Sequence, residues 1–254
     1  MYHVIIQARM GSKRLPGKAL MEHNGFSPLE VLIKRIKKIA EAKKIIIATT
    51  KLKEDDIFQK ISKKLKVKLF RGKTNNVLDR YYSASKFYKS KNIIRLTSDC
   101  PFVETSVIKK LIKIFNTNKF DYVSNTYPLP CTYPDGSDVE IFSFDALKKI
   151  KLIAKLPSDK EHVTKYFFKK KKEFKCFRLD YKINLSKYRY TIDIIEDFKL
   201  FMSIVENKNF LNLRMIDIIN FIDKNPHLVK YQKNIKRNFG WNHSLKKDKL
   251  YKRK

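Results

Sequence analysis

Tyr2-His3-Val4-Ile5-Ile6-Gln7-Ala8-Arg9-Met10-Gly11-Ser12-Lys13-Arg14-Leu15-Pro16-Gly17-Lys18 is the stretch that decides the fold. Tyr2–Ala8 is a short apolar run that breaks into a loop punctuated by Gly11, Pro16 and Gly17, the pattern of a buried strand ending in a turn. Working outward, apolar runs keep alternating with amphipathic ones. Pro28–Ala40 sets Leu29, Leu32, Ile33, Ile36 and Ile39 on one helical face. Lys44–Thr50 predicts a second strand, Asp55–Leu65 a helix and Val67–Phe70 a third strand. Asn76–Tyr88 follows as a helix, Asn92–Thr97 as a fourth strand, Glu104–Phe115 as a helix and Asp121–Ser124 as a strand. Such alternation implies parallel strands joined by crossover helices, an α/β sandwich. The pattern then changes. A long loop, Asn125–Ser137, carries Pro128, Pro130 and Pro134; Val139–Phe142 reads as a strand, and Phe144–Ala154 and Glu161–Phe168 as helices. Phe174–Leu179 and Arg189–Ile192 read as strands, with helices from Glu196 and from Met215. One domain is expected over residues 1–228, followed by a basic tail, 229–254.

Composition bounds the function. The chain has 254 residues, 43% of them hydrophobic, enough for one sizeable core. No run of 18 apolar residues exists, so no membrane-spanning helix is expected. The start of the chain lacks a basic segment before an apolar one, so no cleaved signal peptide is expected either. Cys100, Cys131 and Cys176 are odd in number and widely spaced, which fits neither a disulfide framework nor a zinc site and points to a reducing cytoplasm. The net charge of +32 invites a nucleic-acid partner. However, Lys outnumbers Arg 46 to 11, and the Lys are scattered over helix-like segments, so most are expected on solvated faces. Nucleic acid is therefore not the expected partner; the field would instead draw in small anions such as nucleoside triphosphates.

Five stretches carry chemistry. The first is Gln7–Lys18, at the carboxyl edge of the first strand, where open α/β sheets bind ligands. It presents Arg9, Lys13, Arg14 and Lys18 together with Gly11 and Ser12, cations and close-approach backbone suited to a phosphate chain, although its spacing is neither a Walker A nor a dinucleotide motif. The second is Arg95-Leu96-Thr97-Ser98-Asp99-Cys100-Pro101, a strand that ends in an aspartate. Asp99 suits Mg²⁺ beside a triphosphate, or else a turn; Cys100 reads as a packed thiol. The third, Tyr190-Thr191-Ile192-Asp193-Ile194-Ile195-Glu196-Asp197, again ends a strand in Asp, with Asp193 as helix cap and Glu196 as its capping-box partner the simpler alternative. The fourth, Pro134-Asp135-Gly136-Ser137-Asp138-Val139-Glu140, gathers three carboxylates around a turn, fit for sugar hydroxyls. In the fifth, Ser158-Asp159-Lys160-Glu161-His162-Val163, Ser158 or Asp159 can cap a helix and His162 could bind phosphate or carry a proton.

In this order the stretches resemble the spore-coat polysaccharide biosynthesis protein family, related to the bacterial synthetases that activate 3-deoxy-manno-octulosonate and acylneuraminate as CMP-sugars. Val77-Leu78-Asp79-Arg80-Tyr81-Tyr82, Asn238-Phe239-Gly240 and Ser244-Leu245 add to the likeness. The resemblance implies a three-layer α/β/α fold of the nucleotide-diphospho-sugar transferase (GT-A-like) kind, with a mostly parallel mixed sheet. It implies a Mg²⁺-dependent nucleotidyltransferase that moves CMP from CTP to an anionic sugar or sugar phosphate and releases pyrophosphate. Carried over by position, Arg9, Ser12, Arg14 and Lys18 would hold the triphosphate, within a loop that also contains Ala8 and Gly11. Thr49 and Arg80 would complete the nucleotide site, and Asp99 and Asp193 would bind Mg²⁺. Arg14, Lys18, Asp99 and Asp193 form the expected catalytic set, while Asp135, Asp138, Glu140 and His162 are the expected acceptor contacts. The related synthetases are commonly dimers, so a homodimer stays open. The competing expectation is a glycosyltransferase of the same broad fold, but the Asp-x-Asp it would favour is absent: the position reads Thr97-Ser98-Asp99.

Overall fold

The computed structural model describes residues 2–39, 44–170, 172–235, 237, 244–245, 248–249 and 251. The chain begins with β1 (Tyr2–Gln7), α1 (Pro28–Ile36), β2 (Ile45–Thr50), α2 (Ile57–Lys64), β3 (Lys68–Gly72), α3 (Val77–Phe87), β4 (Asn92–Thr97), α4 (Thr105–Asn118) and β5 (Tyr122–Ser124). It continues with β6 (Glu140–Ser143), α5 (Phe144–Ile153), α6 (Pro157–His162), α7 (Tyr166–Lys169), β7 (Cys176–Arg178), α8 (Ile195–Val205) and α9 (Met215–Lys224). A 3₁₀ segment, Pro226–Asn234, follows. Local chemistry sets several starts. Ser27 and Glu30 form a capping box at α1, Asn76 accepts the Asp79 N–H at α3, and Ser143 accepts the Ala146 N–H at α5.

The described strands make one sheet in the order β3-β2-β1-β4-β6-β5-β7. Only β6 runs against its neighbours, so the sheet is mixed and mostly parallel, as expected. Alternation along β1 divides the core. Val4 and Ile6 pack with α1 and α4, whereas Ile5 packs with Tyr81 of α3 and Leu147 of α5. A third apolar cluster joins Phe198 and Phe201 of α8 to Ile218 and Ile222 of α9. Register aligns the functional edge. Gln7 pairs with both Ala48 and Thr97, so β1, β2 and β4 release their loops side by side. Because β6 is antiparallel and Glu140 pairs with Arg95, the acidic loop before β6 enters at that same edge.

Three expectations need correction. Glu161–Phe168 is not one helix. It is divided between α6 and α7 at Val163, whose φ of 52° is left-handed and disfavoured for a β-branched residue. Arg189–Ile192 is not a ladder strand; it makes a single bridge, Arg189 with Asp135. Ser158 and Asp159 lie inside α6 and do not cap the segment from Glu161: Asp159 pairs with Lys169, and Ser158 donates from backbone and side chain to Asp248. The 228/229 boundary falls within the 3₁₀ segment. Asn238, Phe239 and Gly240, and most of the basic cluster from 246 to 254, lie outside the described residues. Among the described residues no helix is long and apolar enough to cross a membrane.

Candidate active site

The loop after β1 is held at its root by an aspartate expected only to begin a helix. Asp55 is fully buried; it accepts the Met10 N–H at 2.7 Å and the Thr50 hydroxyl. The loop then folds on itself, with Ser12 and Gly17 both donating to the Met10 carbonyl at 2.8 Å. Gly17 has φ of 71°, where a side chain would be strained. The turn brings Lys18 back over the sheet edge.

There the Lys18 ammonium meets three oxygens: Asp99 Oδ2 at 2.7 Å, Asp193 Oδ1 at 2.9 Å and the Ile192 carbonyl at 2.7 Å. Arg14 joins Asp193 Oδ1 at 2.8 Å. The expected catalytic set, Arg14, Lys18, Asp99 and Asp193, thus converges from distant stretches of the chain, Lys18 and Asp193 being 175 residues apart in sequence. The two aspartate-bearing turns are also stitched together: Ile192 N–H and the Thr191 hydroxyl both donate to the Asp99 carbonyl, at 2.8 and 3.0 Å. Burial alone would lower the Lys18 pKa, but the two carboxylates hold it above the ordinary lysine range. Burial likewise opposes ionisation of Asp193, yet Lys18, Arg14 and Arg189 hold it well below the carboxylate range. Asp193 is not a helix cap. The N-cap of helix α8 is Ile194, one residue later, and Asp197, not Glu196, accepts the Asp193 and Ile194 N–H groups at 2.8 and 3.2 Å.

The acidic loop docks beside this cluster. Gly136 has φ of 107°, and a Cβ there would sit 2.5 Å from the Thr191 nitrogen, so only glycine lets the loop lie on the Tyr190–Thr191 backbone. Asp135 pairs with Arg189, while Asp138 accepts the Gly136 N–H at 3.0 Å and faces Arg237 at 3.8 Å. Burial and the neighbouring Asp138 push the Asp135 carboxyl up to about 6, against Arg189 and Arg237. The Cys100 thiol is buried within reach of Asp99, Asp138 and Thr191; burial and those carboxylates raise it, so it stays a protonated packed thiol.

The remaining expected residues fall into two other neighbourhoods. Glu140 opens β6 and is engaged by Arg95 of β4 and by the Tyr122 hydroxyl at 2.6 Å. His162 Nε2 is 2.9 Å from the Ser244 hydroxyl; burial, then Lys165, lowers its pKa to about 4. On the far side of the loop, Arg9 is half-buried and Gly11 exposed, while Ala8, Thr49 and Arg80 are buried. Arg80 donates to the Lys73 carbonyl at 2.7 Å, and Thr49 Oγ1 with Arg80 Nε and Nη2 makes no hydrogen bond. Arg189, Asp197 and Arg237 were not singled out from sequence. The one signal for Arg189 was its place four residues before Asp193, concealed among 57 basic residues.

An open, mostly parallel sheet with phosphate-type cations and paired carboxylates at its carboxyl edge defines a nucleotide-handling α/β protein. A profile of the cytidylyltransferase family matches residues 3–234. The spore coat polysaccharide biosynthesis protein SpsF of Bacillus subtilis is 31% identical over 230 residues, 87% of this chain and 94% of that protein. An uncharacterised protein of Methanocaldococcus jannaschii is 39% identical over 234 residues, 91% of this chain and 94% of that one. A solved cytidylyltransferase from Leptospira borgpetersenii superposes with a TM-score of 0.85 at 32% identity, covering 93% of this chain and 98% of that one. A CMP:2-keto-3-deoxy-manno-octonic acid synthetase, solved with CTP, shares the fold at TM-score 0.63 and 15% identity, over 82% and 99% of the two chains. The chain belongs to the cytidylyltransferase family.

Proposed function

We propose that the protein transfers CMP from CTP to an anionic sugar or sugar-phosphate acceptor, releasing pyrophosphate, in the synthesis of a surface polysaccharide or glycan. One observation carries this: Arg14 and Lys18 of a cation-rich loop grip Asp99 and Asp193 at a single sheet edge. Family membership, the likeness to SpsF and the fold shared with a CTP-bound synthetase support it.

Mg²⁺ fits Asp99 and Asp193. Two carboxylates converge, with a backbone carbonyl beside them, around a position that already attracts a cation, and a site of so few protein oxygens suits an ion that shares its shell with substrate phosphates. Those two residues would hold the ion, which would supply neutralising charge at phosphate oxygens. The chain's own groups do the rest. Arg9, Arg14 and Lys18 stabilise charge developing on the pyrophosphate leaving group. The Asp55 anchor keeps their loop preset, so little reorganisation accompanies binding. An acceptor oxygen forms a bond to the α-phosphorus as the bond to the β-phosphate bridging oxygen breaks. A phosphate acceptor arrives ionised. A hydroxyl acceptor must lose its proton, and we assign that proton to Asp138.

The test is pyrophosphate release with Mg²⁺, each of four nucleoside triphosphates and a panel of anionic sugars and sugar phosphates, for the native protein and Asp99→Asn. Release with CTP and one acceptor, lost in the variant, is the expected result. Absence of CTP binding by calorimetry with Mg²⁺ would sink the assignment and turn attention to nucleotide-sugar donors.

A further inference from the structure

Arg189 lies where three carboxylates from two chain segments meet. Its Nη1 reaches Asp135 of the acidic loop. Nη2 reaches Asp193 Oδ2 at 3.1 Å and Asp197 Oδ2 at 2.8 Å, and Nε reaches Asp197 Oδ1 at 3.3 Å. The Arg189 side chain is 9% exposed and that of Asp197 not at all. The hub is itself braced: the Tyr231 hydroxyl donates to Asp197 at 2.8 Å, and Gln232 donates to the Arg189 carbonyl at 2.9 Å. Backbone bonds add to it, since Asp135 N–H donates to Tyr188 and Tyr190 N–H donates to Asp135.

The two oxygens of Asp193 are used differently. Oδ1 faces Lys18 and Arg14 of the cation-rich loop. Oδ2 faces Arg189, inside the protein. We infer that Arg189 is a positioning residue: it fixes Asp193 from behind, so that Oδ1 is presented to the bound cation, and its other arm ties the acidic loop to the same frame. The inference rests on Asp193 being a cation ligand. A planar fork with five donors can serve three carboxylates at once; an ammonium keeps the charge but not the geometry. Partners that orient a ligating carboxylate typically change metal affinity by about 10–100-fold when lost.

The experiment measures Mn²⁺ binding in the presence of CTP, by the electron paramagnetic resonance of free Mn²⁺, for the native protein, Arg189→Lys and Asp193→Asn. Thermal melts confirm that each variant is folded; should Arg189→Lys fail to fold, Arg189→Gln at low temperature replaces it. Arg189→Lys is expected to weaken Mn²⁺ binding about 10-fold or more, with calorimetric CTP affinity in metal-free buffer changed less than about 3-fold. Folded Arg189→Lys with native Mn²⁺ affinity would overturn the positioning role while leaving the transferase assignment intact. Native Mn²⁺ affinity in Asp193→Asn would instead remove the ligand assignment on which the inference stands.

Discussion

Lys18→Met deserves the first experiment, because it removes one charge and keeps a stem of similar bulk. In the native protein the ammonium satisfies two carboxylates and a carbonyl, at 2.7, 2.9 and 2.7 Å, with its side chain 13% exposed. Removing one partner of a buried ion pair costs roughly 3–5 kcal/mol, because the other charge is left desolvated and alone. The loss here should fall at the lower end. Asp99 and Asp193 keep 26% and 18% exposure, and Asp193 retains Arg14 and Arg189. About 3 kcal/mol in a chain of this size lowers the melting temperature by roughly 6–12 °C. Lys13→Met, in the same loop but exposed, is the control and should stay within about 0.5 kcal/mol. The melts are run in chelator and again with millimolar Mg²⁺. Loss of the ammonium leaves two close carboxylates for a cation to neutralise, so Mg²⁺ should raise the melting temperature of the variant more than that of the native protein. Turnover should fall at least about 100-fold, the usual cost of losing a preset charge at the reacting centre. A Lys18→Met protein as stable as the control, or one that Mg²⁺ protects no better than the native chain, would refute the picture of a cation-bridged carboxylate pair.

Three further outcomes are expected. Gly136→Ala should cost about 3 kcal/mol or more, since φ of 107° is strained for alanine and its Cβ meets the Thr191 backbone at 2.5 Å; the melt and the transferase rate should fall together, because this loop carries Asp135 and Asp138. Glu140→Gln strands the Arg95 guanidinium, whose side chain is only 17% exposed, and should destabilise by about 3 kcal/mol in denaturant unfolding; unaltered stability with a raised acceptor KM would make Glu140 a substrate contact instead. Burial, with Lys68 and Lys44 nearby, lowers the His3 pKa to about 4, so between pH 6.5 and 4 the unfolded chain takes up a proton that the native imidazole refuses. Stability is therefore lost as pH falls through that window, by up to about 3 kcal/mol, and His3→Gln should flatten that slope in urea unfolding at pH 7, 5.5 and 4.5.

Much of this arrangement was legible because local pattern and tertiary role agree. β1 is an apolar run that must be buried, and a loop of cations after a buried strand has little purpose except at a ligand edge. What was hidden depended on tertiary context. Nothing in Glu161–Phe168 announces the break at Val163: no Gly or Pro marks it, and the left-handed residue is one that sequence rules would never place there. The antiparallel insertion of β6 between β4 and β5 leaves no local trace, since Val139–Phe142 reads alike in either direction. Glu140 shows the same gap. Asp138 and Glu140 are two apart, which in a strand puts side chains on one face, but the ladder begins only at Glu140, so the alternation does not reach back to Asp138. One carboxylate faces Arg237 and the other is drawn to Arg95.

Charge yields to the same kind of argument once burial is known. Among the described residues Arg35, Arg80 and Arg189 are buried and no lysine is. Arg35 alone donates to four backbone carbonyls, of Phe102, Val103, Phe210 and Leu213. The buried arginines thus act as internal hydrogen-bonding joints, suited by a fork that loses little on desolvation. Most of the lysines lie on or near the surface, where their strongly hydrated charges form a long-range field. The excess of +32 is therefore largely a solvated property of the surface, and the proposed chemistry sits in its exception, the carboxylates of Asp99, Asp135, Asp138 and Asp193 at one edge. A basic exterior that gathers anions around an acidic, cation-hungry centre suits a protein whose substrates are polyanions accompanied by divalent cations.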